Sequence, residues 1–303
     1  MLQYGIHSPG VEAPKGRGRV RVRVRGGVLR LLGALLWVLL VGAGVSPAKK
    51  IEISAKQLEV LGNEYKSVYR ENAHVRSQEM ELQCDELFVF YTHQRTVLRI
   101  EAHGHVEAND RQNRAKGEQA FFNNETGWLE VVGNPEAQFA GGSVRGSKVL
   151  LNTRTKEAVV ENPTTLLSEA HAAQNRAKEN EVEIVAEQLK FEHNNKVATW
   201  ERQVHLRRGP MLIRAPSLRA FYDEKGQLQK AVATGGVEVQ DELRWAKSQT
   251  AHLDNRRGII VLTGEPEVKE KASHLRGSRI SFVSGKHTLT VENAKTVFEV
   301  SNP

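Results

Sequence analysis

The run Ile100 to Glu136 reads I-E-A-H-G-H-V-E-A-N-D and, after three residues, R-A-K-G-E-Q-A-F-F-N-N-E-T-G-W-L-E-V-V-G-N-P-E. The run Ala231 to Glu267 reads A-V-A-T-G-G-V-E-V-Q-D and, after three residues, W-A-K-S-Q-T-A-H-L-D-N-R-R-G-I-I-V-L-T-G-E-P-E. Gly104 falls on Gly235, Glu107 on Glu238, Lys116 on Lys247, Gly133 on Gly264 and Pro135 on Pro266, at a constant offset of 131 residues. The match extends outward in both directions. I-E-I-S-A-K-Q-L-E-V from Ile51 lies over V-E-I-V-A-E-Q-L-K-F from Val182, and Arg145-Gly146-Ser147 over Arg276-Gly277-Ser278. No gap is needed, so the chain is a duplication. Its copies occupy residues 49–168 and 182–303, joined by residues 169–181. The joining stretch is Ala-rich and polar, which predicts a helical or flexible linker.

Within each copy a shorter motif recurs. A small residue is followed three and five positions later by apolar ones: Ala55-x-x-Leu58-x-Val60, Cys84-x-x-Leu87-x-Val89, Gly146-x-x-Val149-x-Leu151. Copy two repeats it from Ala186, Ala215 and Gly277. Ala115 and Ala246 begin a weaker version, with Glu118 and Gln249 where the first apolar residue is expected. A strand shows one face every second residue, so a step of three predicts a bend or bulge. Turn signals such as Gly62-Asn63, Asn123-Asn124 and Asp254-Asn255 separate the motifs. Alternation at Leu129-Glu130-Val131 reads as half-buried strand. Short strands at regular spacing predict an all-β fold.

The leader carries most of the charge imbalance. Residues 1–48 hold seven of the 43 Lys and Arg but one of the 36 Asp and Glu, leaving 36 cations against 35 anions. That balance gives no basis for a nucleic-acid partner. The leader runs from basic residues through an apolar stretch, Leu31 to Val45, to Ser46-Pro47-Ala48. This order predicts an export signal cleaved after Ala48, or an uncleaved membrane anchor. The Arg-Val alternation from Arg19 to Arg25 also resembles a strand.

Catalytic chemistry finds little support. No phosphate loop, metalloprotease motif or nucleophile elbow occurs. His103 and His105, two apart on a strand, share a face on paper and could hold a metal, but neither recurs in copy two. No enzyme, metal or cofactor is expected. Cys84 is the only cysteine, so no intrachain disulfide forms.

The Ala-x-x-Leu-x-Val motif leads into Gly104-His105-Val106, Gly133-Asn134-Pro135, Gly235-Gly236-Val237 and Gly264-Glu265-Pro266. In this order the residues resemble the LptA/OstA family of periplasmic lipopolysaccharide-transport proteins. The resemblance covers nearly all of residues 51–300, as two tandem domains. It implies an open β-jellyroll, a folded and slightly twisted antiparallel sheet whose apolar interior carries lipid A acyl chains. It implies edge strands, near 51–60 and 288–299 here, that pair with other jellyroll proteins of the transport machine. A membrane-anchored LptC-like relative shares the fold, and in that case the inner membrane becomes a partner. A non-lipid structural β-solenoid is the competing reading.

On the lipid-carrying reading, the lining residues of copy one are Ile53, Leu58, Val60, Val75, Leu82, Leu87, Val106, Leu129 and Val131. Those of copy two are Ile184, Leu189, Phe191, Leu206, Ile213, Leu218, Val237, Ile260 and Leu262.

Overall fold

The three-residue steps become bends. The computed structural model describes residues 20–25, 48–76, 80–110, 114–139, 142–167, 181–224, 226–255, 257–270, 273–283 and 288–298. The expected linker, save Glu181, and the leader's apolar run lie outside them. Among the described residues the only helix is a single 3-10 turn, Gly62–Glu64, and none is long and apolar enough to cross a membrane.

The Arg-Val alternation forms β1 (Val20–Arg25), antiparallel to the first strand of copy one. Copy one supplies β2 (Ala48–Ser54), β3 (Gln57–Leu61), β4 (Lys66–Arg76), β5 (Met80–Tyr91), β6 (Val97–Asp110) and β7 (Arg114–Asn123). It continues with β8 (Trp128–Val132), β9 (Glu136–Phe139), β10 (Gly142–Arg145), β11 (Lys148–Asn152), β12 (Glu157–Glu161) and β13 (Thr164–Leu167). Copy two supplies β14 (Val182–Val185), β15 (Gln188–Glu192), β16 (Val197–Arg208), β17 (Met211–Tyr222), β18 (Leu228–Gln240) and β19 (Arg244–Asp254). It ends with β20 (Ile259–Thr263), β21 (Glu267–Glu270), β22 (Ser273–Arg276), β23 (Arg279–Val283), β24 (Leu289–Glu292) and β25 (Lys295–Phe298). The duplication thus gives twelve strands per copy.

All pairings are antiparallel and belong to one sheet. Each long strand, β4 to β7 and β16 to β19, divides between two wings. The first wing takes β3, β8, β11, β12, β15, β20, β23 and β24; the second takes β2, β9, β10, β13, β14, β21, β22 and β25. The halves meet at bulges, as between Arg70 and Ala73 on β4 and between Gln83 and Glu86 on β5. At Cys84 the inward positions switch from 82 and 84 to 87 and 89, which is the three-residue step of the motif. On β7 the step falls elsewhere. Gly117 to Ala120 breaks parity there, so Glu118 is not an inward position and the step starts at Gly117, two residues after Ala115.

The backbone device at the bend repeats with the offset. Glu71 and Asn72 on β4 have φ of 59° and 61°, and Arg202 and Gln203 on β16 have 61° and 50°. Gly104 and His105 on β6 match Gly235 and Gly236 on β18, again all left-handed. Two successive left-handed residues turn the strand sharply, and glycine takes that conformation at least cost.

The copies are continuous with one another. β12 pairs with β15 and β13 with β14, so the last strands of copy one add directly to the first strands of copy two. Among the described residues no pairing joins β2 or β3 to β24 or β25. On the first wing β3 and β24 end the ladder; on the second, β25 ends it at one side and β1 lies beyond β2 at the other.

Candidate functional site: the inner face

Cross-strand register aligns inward side chains into rows. On the first wing a middle row runs Leu58, Tyr69, Leu87, Ala102, Ala120 and Val131, strand by strand. It continues through Val149, Val160, Leu189, Trp200, Leu218 and Ala233, and ends with Ala251, Leu262, Ile280 and Val291. Apart from the Tyr69 hydroxyl and the Trp200 indole N–H, sixteen successive strands place only hydrocarbon there. A second row lies two residues nearer the rim, and a third runs along the facing wing. Residues of both wings share the core clusters: Ile53, Val75 and Leu82 pack with Leu87, Leu129 and Val131.

All eighteen residues expected to line the interior fall on this face. Leu58, Leu87, Val131, Leu189, Leu218 and Leu262 stand in the middle row. Val60, Leu129, Phe191 and Ile260 stand in the rim row. Ile53, Val75, Leu82, Ile184, Leu206 and Ile213 form part of the facing wing's row. Val106 and Val237 sit at the bends of β6 and β18. Sixteen of them are buried or half-buried members of the two core clusters, or pack against those clusters. The first edge strand differs: Leu58 is 41% and Val60 65% exposed. Their copy-two counterparts are Leu189, 7% exposed, and half-buried Phe191.

Sequence reasoning missed the residues that work with Trp200. Its indole N–H donates to Thr165 Oγ1 at 3.1 Å. Trp200 stands on the first wing of copy two and Thr165 on the second wing of copy one. The bond therefore crosses both the interior and the seam. A buried Trp N–H needs such a partner, but a separation of 35 residues with no shared strand gives no signal in sequence.

Polar groups hold the outside. Glu136 on the outer face of the second wing meets Lys116 at 3.3 Å and Arg145 at 3.0 Å. The Gln138 amide first, then Arg145 and Lys116, pull its carboxyl down to about 2 against the burial that raises it. Glu267 repeats the arrangement with Lys247 and Arg276, and adds His274. Burial pushes Glu267 upward, yet Lys247, His274 and Arg276 outweigh it and hold its pKa below the ordinary carboxylate value. Glu107, also on the outer face, accepts hydrogen bonds from Arg114 and Asn109. The edge strand β3 carries an ion pair to β4, Glu59 to Arg70 at 2.6 Å.

The histidine pair separates. The bulge after His103 breaks the parity that would have put both rings on one face. His103 packs edge-on between Phe88 and Phe121, whereas His105 binds Asp85 through Nδ1 at 2.8 Å. Among the described residues no group of three or more His, Cys, Asp or Glu is placed to hold a metal. Burial, with the charges of Asp85 and Glu86, pushes the Cys84 thiol up to about 12, so it stays protonated and unreactive at neutral pH.

Comparison with known proteins follows the same two units. No curated protein matches the sequence. Among solved structures the chain is similar to LptH, described as the LptA homologous periplasmic component of the conserved lipopolysaccharide transport device from Pseudomonas aeruginosa. That likeness spans 41% of this chain and 98% of LptH at 12% identity, with a TM-score of 0.37. The family model described as LptA/(LptD N-terminal domain) LPS transport protein matches residues 52–157 and again 183–287, one match per copy. These matches cover more than half of the sequence, and the chain belongs to this family of lipopolysaccharide-transport proteins.

Proposed function

We propose that the protein is a periplasmic, non-enzymatic carrier that holds the acyl chains of lipopolysaccharide between its wings. The observation that carries this reading is the continuity of the inner rows across both copies and the seam. An acyl chain leaving water for such a surface gains about 0.8 kcal/mol per methylene. The sheet is read as an open jellyroll whose wings part to admit the chains. The interior is closed to water along most of the middle row, with Leu87, Val131, Leu262 and Ile280 all buried. Lipid therefore has to replace contacts between the wings. The exposed Leu58 and Val60 mark one end at which this exchange starts.

Family membership supports a second element, joining to other jellyroll proteins of the transport machine by strand addition. The free strands are β3 at one end, where β1 already covers β2, and β24 and β25 at the other. Unpaired strand edges recruit partners through their backbone groups.

The test is a photocrosslinking residue at Leu218, which is buried on the inner face, compared with one at exposed neighbouring Arg219. Cells making lipopolysaccharide should yield a lipid adduct from position 218 and not from 219. Equal adducts from both positions, or none from 218, would exclude the carrier and leave the structural solenoid.

A further inference from the structure

We infer that Trp200 and Thr165 form a gate inside the carrier, closing the interior at the seam until a hydrocarbon chain displaces the indole. This inference rests on the lipid-carrying reading above. Two aromatic residues interrupt an otherwise aliphatic middle row, Tyr69 in copy one and Trp200 in copy two. Trp200 is 1% exposed and is the largest of the fully buried side chains. It stands between Leu189 and Leu218 in the row, and its indole reaches across to the opposite wing. Among the described residues, its bond to Thr165 is the one hydrogen bond between two buried side chains. A chain moving along the row from Val160 to Leu218 meets this bond directly across its path.

The chemistry suits a latch better than a plain wall. A hydrocarbon wall would close the seam by packing alone. An indole N–H buried without a partner is penalised, and Thr165, 3% exposed, supplies the one acceptor recorded for it. The bond to Thr165 therefore favours one closed rotamer. Hydrocarbon burial along the row can outweigh that preference when a chain arrives, because each added methylene contributes while the latch is a single bond.

Comparison of the copies shows why the latch belongs to the seam. Thr165 corresponds to Thr296, which is exposed on the end strand β25. Trp200 corresponds to Tyr69, which no preceding copy faces. Burial, then the Tyr91 charge, pushes the Tyr69 hydroxyl up to about 12. Each end of the ladder thus carries one half of the pair, and the seam completes it.

The experiment uses the full chain with Trp37, Trp128 and Trp245 replaced by Phe, leaving Trp200 as the sole emitter. The probe is a bromine-substituted stearate, whose bromines quench an indole in contact. Retention of the probe is measured separately by equilibrium dialysis. The expected result is retention with at least about two-fold quenching of Trp200. Thr165→Val, which keeps the volume and removes the acceptor, should speed quenching about five-fold, the Boltzmann factor of one ordinary net hydrogen bond. Thr165→Ser, which keeps the hydroxyl, should restore the parent rate. Retained probe with unchanged Trp200 emission overturns the gate and leaves the carrier reading standing. So does a Thr165→Val rate equal to that of the parent. If no probe is retained, the carrier reading falls and the gate falls with it.

Discussion

The strand pair β2/β3 and the strand pair β14/β15 are nearly the same sequence in two settings. Leu58 and Leu189 occupy one position of the repeat, as do Val60 and Phe191. Leu189 is covered because Val160 of β12 lies beside it, and Phe191 because Ala158 does. Leu58 and Val60 have the same inward parity and, among the described residues, no strand on that side. The difference is therefore the neighbour and not the residue. The seam is a finished joint, and on the first wing the two ends of the ladder, β3 and β24, are the same joint left unmade, whereas on the second wing β1 covers β2. Every register at the seam also predicts a register at the ends.

The largest expected effect separates these two settings. Leu189→Asp would place a charge among buried aliphatic groups and should cost about 4 kcal/mol, read as a drop in the denaturant midpoint. Leu58→Asp, at the free end, should cost less than about 1 kcal/mol. Equal costs would mean that the end strand is covered in solution. Next come positions where the copies should agree. Gly133 and Gly264 have φ of 78° and 76°, and an added Cβ would sit 2.3 Å from Glu118 Cβ and 2.5 Å from Gln249 Cβ. Gly133→Ala and Gly264→Ala should each cost about 2–3 kcal/mol. A clear inequality between them would show that the copies are not equally tight.

Smaller effects come from the outer carboxylates. Glu136 has its pKa depressed, so its contribution is present above the ordinary value of 4.5 and is lost as pH falls toward about 2. Glu136→Gln should cost about 1.5–2 kcal/mol at neutral pH and remove that part of the acid sensitivity. A parallel acid profile for the variant would show that Glu136 is not the titrating group. Glu267→Gln should act in the same direction.

The smallest change in stability, and the sharpest test of the seam as template, is a cross-link. Val160 faces Leu189 at the seam, so Val291 should face Leu58 when one molecule adds to the next. Leu58→Cys with Val291→Cys, in a Cys84→Ala background, should give disulfide-linked oligomers on oxidation. Pairing Leu58→Cys with Leu289→Cys, two residues out of register, should not. Oligomers from both pairs in equal yield would reject the register.

Much of this was legible in the sequence because a strand alternates and a duplication repeats its errors of reading as well as its truths. Inward parity at Leu87, Leu129 and Leu218 follows from spacing alone. The break of parity at Cys84 was visible as a three-residue step. The step on β7 was misplaced because Gly117 offers no side chain to mark the inward face. The histidine pair was misjudged for a related reason: His105 adopts φ of 42°, and two-residue spacing no longer means a shared face there.

The repeat, the strand class and the apolar parity of the inner face are written in residue order, because these are properties of order along the chain. Only the tertiary structure decided which strand end is covered, that β12 and β15 join, and that Trp200 reaches Thr165 across the wings. Those facts depend on which distant segments become neighbours, and parity within a strand carries no information about what lies opposite it.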